Sequence, residues 1–505
     1  MDLDEFLHNL HYGISQVKPT DWEADWEDAP LPYKLYRNLP AKSFSPGIPL
    51  KEPGECTRPS IENIGDFLWY TYGLTQMSQS SYMDSPDFIQ LRRFVPSGGG
   101  LYPNELYVYL KIEGLSEGIY HYDAAHHRLD LLREGNFDSY FTAALGRRCE
   151  VADCFGVVFV STMFWKNFFK YNNFAYRLQG LDAGALIGQL LEVGKRCGFS
   201  SRVHFQFLDR AVNHLLGLKE AEESTYAVIP LSEREVGLAA GSVQTASKLI
   251  ETIPQLETDH YVRSKKVLEY PLLLEMNEAA LIASTESFCS LQKPVHKEKT
   301  GQTLFLQHHE PLEKDFTAVC QNRYSPEMDF IMEKVTQQQL SILLKEASRA
   351  FVYKNDLGSD AGLEIFGCFY NVEDIPHGAY RYNPAEHSLT LVQPGDFRLQ
   401  LQYGMTTHNL NLYQVPLCLH IVGTRDHLKK EMGYRGYRFQ QMETGMLLQR
   451  LLLSASALDM AGHPLLGFDV ATTDAIYKLD EKKTSLIQLP VGPYQPRAWL
   501  KGILI

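Results

Sequence analysis

The chain has 505 residues, 44% hydrophobic and 12% aromatic, which excludes a disordered or collagen-like polymer and leaves room for roughly one domain per 100–200 residues. Its 48 basic residues stand against 61 acidic ones, a formal net charge of −13. That balance argues against broad nucleic-acid binding, whose affinity comes largely from Lys and Arg neutralising phosphates.

The first residues, Met1-Asp2-Leu3-Asp4-Glu5-Phe6, are acidic at once and lack the basic opening and apolar core of a signal peptide. An extended segment, Leu7–Pro49, follows and carries Trp22, Trp26 and Pro30-Leu31-Pro32. The longest strongly apolar stretch, around Phe155–Phe164, falls far short of the roughly 20 residues that a spanning helix needs, so no membrane association is expected. The eight cysteines (Cys56, Cys149, Cys154, Cys197, Cys289, Cys320, Cys368 and Cys418) are scattered with no CxxC pair. They predict reduced thiols in a cytoplasmic protein and no metal site. The absence of HExxH, GxxxxGK[ST] and GxGxxG weakens the case for zinc proteases, P-loop enzymes and Rossmann dehydrogenases.

Further along, Glu105–Leu110 reads as a strand, and Gly118-Ile119-Tyr120-His121-Tyr122 as a half-buried one with alternating aromatics. Gly156–Ser161 is a short apolar run that suits a buried strand, and Gly180–Cys197 has apolar residues at helical spacing. The pattern then returns as Ile365–Tyr370, Gly378-Ala379-Tyr380-Arg381-Tyr382, Pro416–Gly423 and Gln440–Leu458. His127, Leu129, Gly135 and Phe137 recur as His387, Leu389, Gly395 and Phe397, 260 residues on. Tyr176-Arg177 and Gly184 recur as Tyr437-Arg438 and Gly445, 261 on. A register this constant marks a tandem duplication.

Between the copies, Glu233–Leu312 mixes helix-like stretches such as Tyr270–Ile282 with polar turns and reads as ordered. The expected class is α+β, with residues 1–235 and 313–505 as two similar domains forming an intramolecular pseudo-dimer, joined by a helical connector over 236–312. Duplicating one subunit of a symmetric dimer leads there, because the isologous interface already exists.

Pro96-Ser97-Gly98-Gly99-Gly100-Leu101-Tyr102-Pro103-Asn104-Glu105 resembles the flavin-contacting loop of the FMN-dependent nitroreductase-like superfamily, in its azoline-dehydrogenase (SagB-type) branch. The resemblance covers both halves and implies FMN held at the interface between them. It implies that Arg323-Tyr324-Ser325 binds the phosphate and that Pro464-Leu465-Leu466-Gly467-Phe468-Asp469 turns its backbone amides to the flavin ring. Gly492-Pro493-Tyr494-Gln495-Pro496-Arg497 matches the segment that returns a cation to the phosphate. The first half would supply Pro96, Ser97, Gly98, Gly99 and Gly100. In comparable places it offers only Arg37-Asn38-Leu39 and Phe205-Gln206-Phe207, while the second half has Gly358-Ser359-Asp360-Ala361-Gly362 without the proline. The two intact sets are complementary, so one competent FMN site per chain is expected, and an empty or vestigial counterpart.

The residue types suit this. A phosphate dianion takes bidentate Arg contacts and a hydroxyl donor, and glycines let backbone approach a flat ring with no Cβ between. Taken alone, Ser-Gly-Gly-Gly is a flexible turn, Arg323-x-Ser325 an ordinary helix start capped by Ser, and Arg497 a solvated charge. Their joint occurrence in a duplicated frame carries the FMN reading.

Lys170-Tyr171 matches the catalytic signature of that branch, and its counterparts 261 residues on are Glu431 and Met432, so the dyad occurs once. The implied reaction oxidises thiazoline or oxazoline rings in a peptide to thiazole or oxazole, in ribosomal or nonribosomal natural-product biosynthesis. A proton leaves the former α-carbon and a hydride leaves the neighbouring methylene for flavin N5. Lys170 is the expected base if desolvation lowers its pKa, with Tyr171 orienting it or sharing the proton. Phe164, Trp165, Phe168 and Phe169 read either as walls that exclude water and stack on the azoline, or as plain core. With no nicotinamide motif visible, O2 is the expected acceptor. The substrate is expected tethered to a synthetase carrier domain or a precursor leader, among partner enzymes, with this chain acting in trans as a stand-alone enzyme. The alternatives are an NAD(P)H-dependent nitro- or quinone reductase and a flavin-free scaffold.

Overall fold

The computed structural model describes residues 1–45, 59–82, 85–237, 243–292, 301–310, 312–349, 352–496 and 500–503. The strands of the first half are β1 (Ala41–Ser43), β2 (Gln76–Tyr82), β3 (Ser85–Arg92), β4 (Asn104–Leu110), β5 (Gly118–Asp123), β6 (Arg128–Glu134), β7 (Gly156–Met163), β8 (Ser200–Ser201) and β9 (Glu223–Ser232). Those of the second are β10 (Thr303–Phe305), β11 (Glu364–Phe369), β12 (Gly378–Asn383), β13 (Ser388–Pro394), β14 (Leu417–Thr424), β15 (Ala461–Gly462), β16 (Lys483–Gly492) and β17 (Leu500–Ile503). They build two seven-stranded antiparallel sheets, ordered β1-β6-β5-β4-β7-β9-β8 and β10-β13-β12-β11-β14-β16-β15. The fold is α+β with two equivalent halves.

The duplication extends to backbone detail. Leu106 faces Val160 across β4 and β7, and Phe366 faces His420 across β11 and β14, each 260 residues on. A bulge between Val160 and Ser161 recurs between Ile421 and Val422. The central strands β4 and β7 are buried on both faces, which is why they read as near-continuous apolar runs.

Two long helices, Ala175–Arg196 and Arg435–Ala457, pack against each other at the centre. A Cβ on Gly184 would collide with the Met442 carbonyl, and one on Gly445 with the Leu181 carbonyl, so the recurring glycines mark the closest approach of the helices. Tyr176 stacks on Tyr437 at 5.8 Å, and Gln449 Nε2 donates to Gln189 Oε1 at 2.9 Å. Residues related by the repeat thus meet one another, as an isologous interface requires.

Both helices begin about five residues before the apolar spacing suggested, because their first turns carry buried polar side chains. Arg177 donates to Leu10 O and Leu486 O, and Arg438 to Asn277 Oδ1. The connector contributes the short helices Ala246–Ile250 and Pro271–Ala279. The latter stops short of Ile282 and has proline in its first turn, where the missing N–H costs nothing. β17 crosses back to pair with β2, completing a small sheet ordered β17-β2-β3 that joins the end of the chain to the first half.

Arg37 is not the counterpart of Arg323. It precedes β1, whereas Arg323 follows β10, the strand in the equivalent sheet position. It lies on the surface, 3.5 Å from Asp259. Among the described residues, no helix is long and apolar enough to cross a membrane and no His, Cys, Asp and Glu group has the makings of a metal site.

Candidate active site

The loop from β3 to β4 is fixed at both ends. Arg93 is buried over the Tyr72 ring at 3.9 Å and donates to Tyr72 O and Pro32 O. Ser97 Oγ donates to Asp182 Oδ2 at 2.7 Å and accepts from Tyr102 N at 2.9 Å, while Gly98 N donates to Asp182 Oδ1 at 3.2 Å. Between these ties the chain turns through Gly99 and Gly100 at φ +65° and +70°, which glycine adopts without strain.

Lys170 and Tyr171 close the helix Phe164–Tyr171, which Asn172 ends at φ +51°. Both reach the glycine loop: a Cβ on Gly99 would lie 2.7 Å from Tyr171 Oη and 2.8 Å from Lys170 Nζ. Burial lowers the Lys170 pKa, Lys18 lowers it further, and Glu327 from the second half opposes both. Tyr171 is pushed well above the ordinary phenol value by burial and by Asp182. The N-terminal segment covers this helix, with Trp22 Nε1 donating to Phe169 O at 3.3 Å and the Trp26 ring 5.3 Å from Lys170 Nζ. Phe164, Phe168 and Phe169 are buried in packing, the first two against Tyr270, so the plain-core reading holds for these three. Trp165 is half-buried and donates to Ser264 Oγ.

The second half brings Arg323 to the same place. Arg323 ends the helix Phe316–Asn322 rather than starting one, and its Nε donates to Phe94 O at 2.7 Å, three residues before Ser97. Its Nη1 lies 3.4 Å from Ser325 Oγ, and Arg92 Nη2 donates to its carbonyl at 2.5 Å. His463 rests against the backbone of Ser325 and Pro326 and feels the charge of Glu327, which sets the turn beginning at Pro464 beside the arginine. In that turn Leu466 packs against core residues of both halves, and a Cβ on Gly467 would collide with Thr406 Oγ1. Asp469 caps the helix Val470–Ile476. Arg497 lies outside the described residues. The segment leading to it runs beside Arg323, with Tyr494 stacked on Tyr324 at 5.4 Å.

The charge and donor chemistry of these residues suits an FMN phosphate. Arg323 is 4% exposed and has no ion-pair partner among the described residues; burial and the nearby Arg92 hold its guanidinium down at about 10. A buried cation beside a second cation calls for an anion. Arg323, Arg92 and Ser325 would hold the phosphate, while the places a Cβ would take at Gly98, Gly99 and Gly467 are filled by Leu178, by the Lys170–Tyr171 pair and by Thr406.

At the repeat-related place on the other side, protein groups bond to one another. The loop pairing of Leu465 with Gln488 recurs as His204 with Val228, which puts Gln206 where Gly467 would be. Gln206 and Cys289 of the connector exchange hydrogen bonds, 2.7 Å to Gln206 Oε1 and 2.9 Å from Gln206 Nε2. Asp356 accepts from the amides of Phe205 and Gln206, and Arg148 lies 3.6 Å from it. Sequence reasoning missed Asp182, Arg92 and Glu327. Asp182 had a signal: an acid among the small and apolar residues of the long helix, matched by Glu443 261 residues on.

The fold defines a class of protein built as two fused, similar subunits. The Nitroreductase family model matches residues 62–231 and 322–493, one match per half, and the chain belongs to that family, whose members typically bind flavin. It is 30% identical over 154 residues to the trifolitoxin-processing protein TfxB of Rhizobium leguminosarum bv. trifolii, a match covering 29% of this chain and 40% of that relative. It is 24% identical over 169 residues to a Methanocaldococcus jannaschii protein named as a nitroreductase, MJ1384, covering 32% of this chain and 84% of the relative. A crystal structure named as a nitroreductase from Anabaena variabilis ATCC 29413 superposes with a TM-score of 0.76 at 21% identity, covering 98% of this chain and 100% of that one. That likeness bears on the fold alone.

Proposed function

We propose that this chain is an FMN-dependent azoline oxidase, converting thiazoline or oxazoline rings in a peptide to thiazole or oxazole. The observation that carries the reading is the convergence of the single Lys170–Tyr171 dyad on Gly99, in a loop to which Arg323 of the other half bonds at Phe94. The likeness to a protein named for trifolitoxin processing supports a role in natural-product tailoring.

Bound FMN supplies the hydride acceptor for this two-electron oxidation. Lys170 Nζ takes the proton from the ring carbon that was the residue's α-carbon. Its lowered pKa makes the neutral amine, the form that accepts a proton, available at lower pH. Tyr171 stays protonated and serves as donor and orienter rather than base. The Trp26 ring lies beside the amine, 5.3 Å from Nζ. O2 is the final acceptor, and the peptide arrives on a synthetase carrier domain or a precursor leader, prepared by partner enzymes.

The test is Lys170→Ala. It should keep flavin bound and lower azole formation by about 10²–10⁴-fold, the range for loss of a general base. Wild-type turnover in that variant removes Lys170 as the base. Rapid flavin bleaching on mixing with NADPH would instead favour a nitro- or quinone reductase.

A further inference from the structure

We propose that Asp182 is a positioning residue of the redox site: its buried carboxylate clamps Ser97 and Gly98 and so sets the Gly99 backbone against Lys170 and Tyr171. The consequence for flavin rests on the function proposed above; the clamp itself does not.

Two side chains in relay tie the ends of the turn. Asp182 accepts from Ser97 Oγ and Gly98 N, and Ser97 Oγ in turn accepts from Tyr102 N. Gly100 N closes the turn on Ser97 O at 3.0 Å. The result is the placement of Gly99 within reach of both dyad heteroatoms. Asp182 is 9% exposed and forms no ion pair among the described residues. A carboxylate in that setting costs stability, so helix packing alone does not account for it.

The groups facing it come from three elements. Tyr72 closes the helix Ile61–Tyr72, Tyr171 closes the helix Phe164–Tyr171, and the loop presents Ser97 and Gly98. Both tyrosines are held protonated by burial. Burial raises Asp182 to about 7, against the pull of its two hydrogen bonds. An ionised acceptor binds N–H and O–H donors more strongly than a neutral one, so the clamp tightens as pH rises through neutrality.

The duplication separates the clamp from the chemistry. Glu443, 261 residues after Asp182, accepts from Ala361 N and Tyr353 Oη in the second half, where Glu431 and Met432 replace the dyad. Both halves tie the loop to the long helix, and only the first presents it to a Lys-Tyr pair.

The experiment compares wild type with Asp182→Asn, Asp182→Glu and Ser97→Ala. Amide hydrogen exchange over residues 97–102 is read in flavin-free chain, and FMN affinity in reconstituted chain, from pH 5.5 to 8.5. In wild type the segment should gain about tenfold protection across neutrality beyond the intrinsic pH dependence, with FMN affinity rising in step. Asp182→Asn should lose both pH dependences and bind FMN about tenfold more weakly, and Asp182→Glu should restore the profile. Wild-type protection and an unchanged FMN profile in Asp182→Asn overturn the proposal. Should that variant fail to fold by circular dichroism, Ser97→Ala decides: lost protection supports the clamp, and wild-type protection overturns it. A wild-type chain that binds no FMN sinks the flavin reading, while the exchange data still judge Asp182.

Discussion

Gly99 sits at φ +65°, with the amine of Lys170 and the hydroxyl of Tyr171 where its side chain would be. Alanine there combines a disfavoured backbone with a clash against the phenol, since the lysine end can swing away more freely than the half-buried tyrosine ring. Gly99→Ala should lower turnover at least tenfold while leaving global unfolding within about 1–3 kcal/mol of wild type, read by denaturant titration beside steady-state rates. Glu327 favours the charged form of Lys170, so Glu327→Gln should move the acid limb of the pH–rate profile to lower pH. A limb that stays put, or moves up, contradicts Lys170 as the titrating base. At this scale the sequence showed the residues of the glycine loop, the dyad and Arg323. It hid Arg92 and Glu327, whose relevance comes from being folded beside Arg323 and Lys170 by elements distant in the chain.

The paired long helices are where elements decide geometry. Gly184 and Gly445 let the helices touch backbone to backbone, and each added methyl must push the two halves apart. Gly184→Ala should cost about 1–3 kcal/mol, the usual penalty of overpacking, and should loosen FMN binding because the crevice walls sit on opposite halves. Thermal unfolding and flavin release measured together would check it. The same helices carry Asp182 and Glu443, which burial raises to about 7 and about 8. Their folded values exceed the unfolded ones, so the stability they contribute is complete below about pH 4 and is lost as pH rises through 7 to 8. Asp182→Asn combined with Glu443→Gln should flatten the stability–pH curve over that window. Helix periodicity located both helices but not their starts, because buried arginines bonded to carbonyls look like surface residues in a sequence. The four aromatics of the dyad helix were equally ambiguous, since a core face and a ligand wall share one composition.

For the molecule as a whole, the constant 260–261 residue offset made the two-fold arrangement readable before any coordinates. It could not show that the connector bonds to Gln206 at the repeat-related place, because Gln206 and Cys289 meet only in three dimensions. The occupied side predicts one equivalent of FMN per chain after reconstitution and desalting, by absorbance against protein concentration. Two equivalents would mean that the connector yields its place.

Both sides of the proposed site belong to one polypeptide, with Arg323 anchored on Phe94 and β17 laced onto β2. A two-chain enzyme of this architecture sheds its partner on dilution, whereas a tether keeps the halves at an effective local concentration of order millimolar. With FMN held in excess, specific activity should therefore stay level from micromolar to picomolar enzyme. Scarcity in the cell would not switch such a catalyst off.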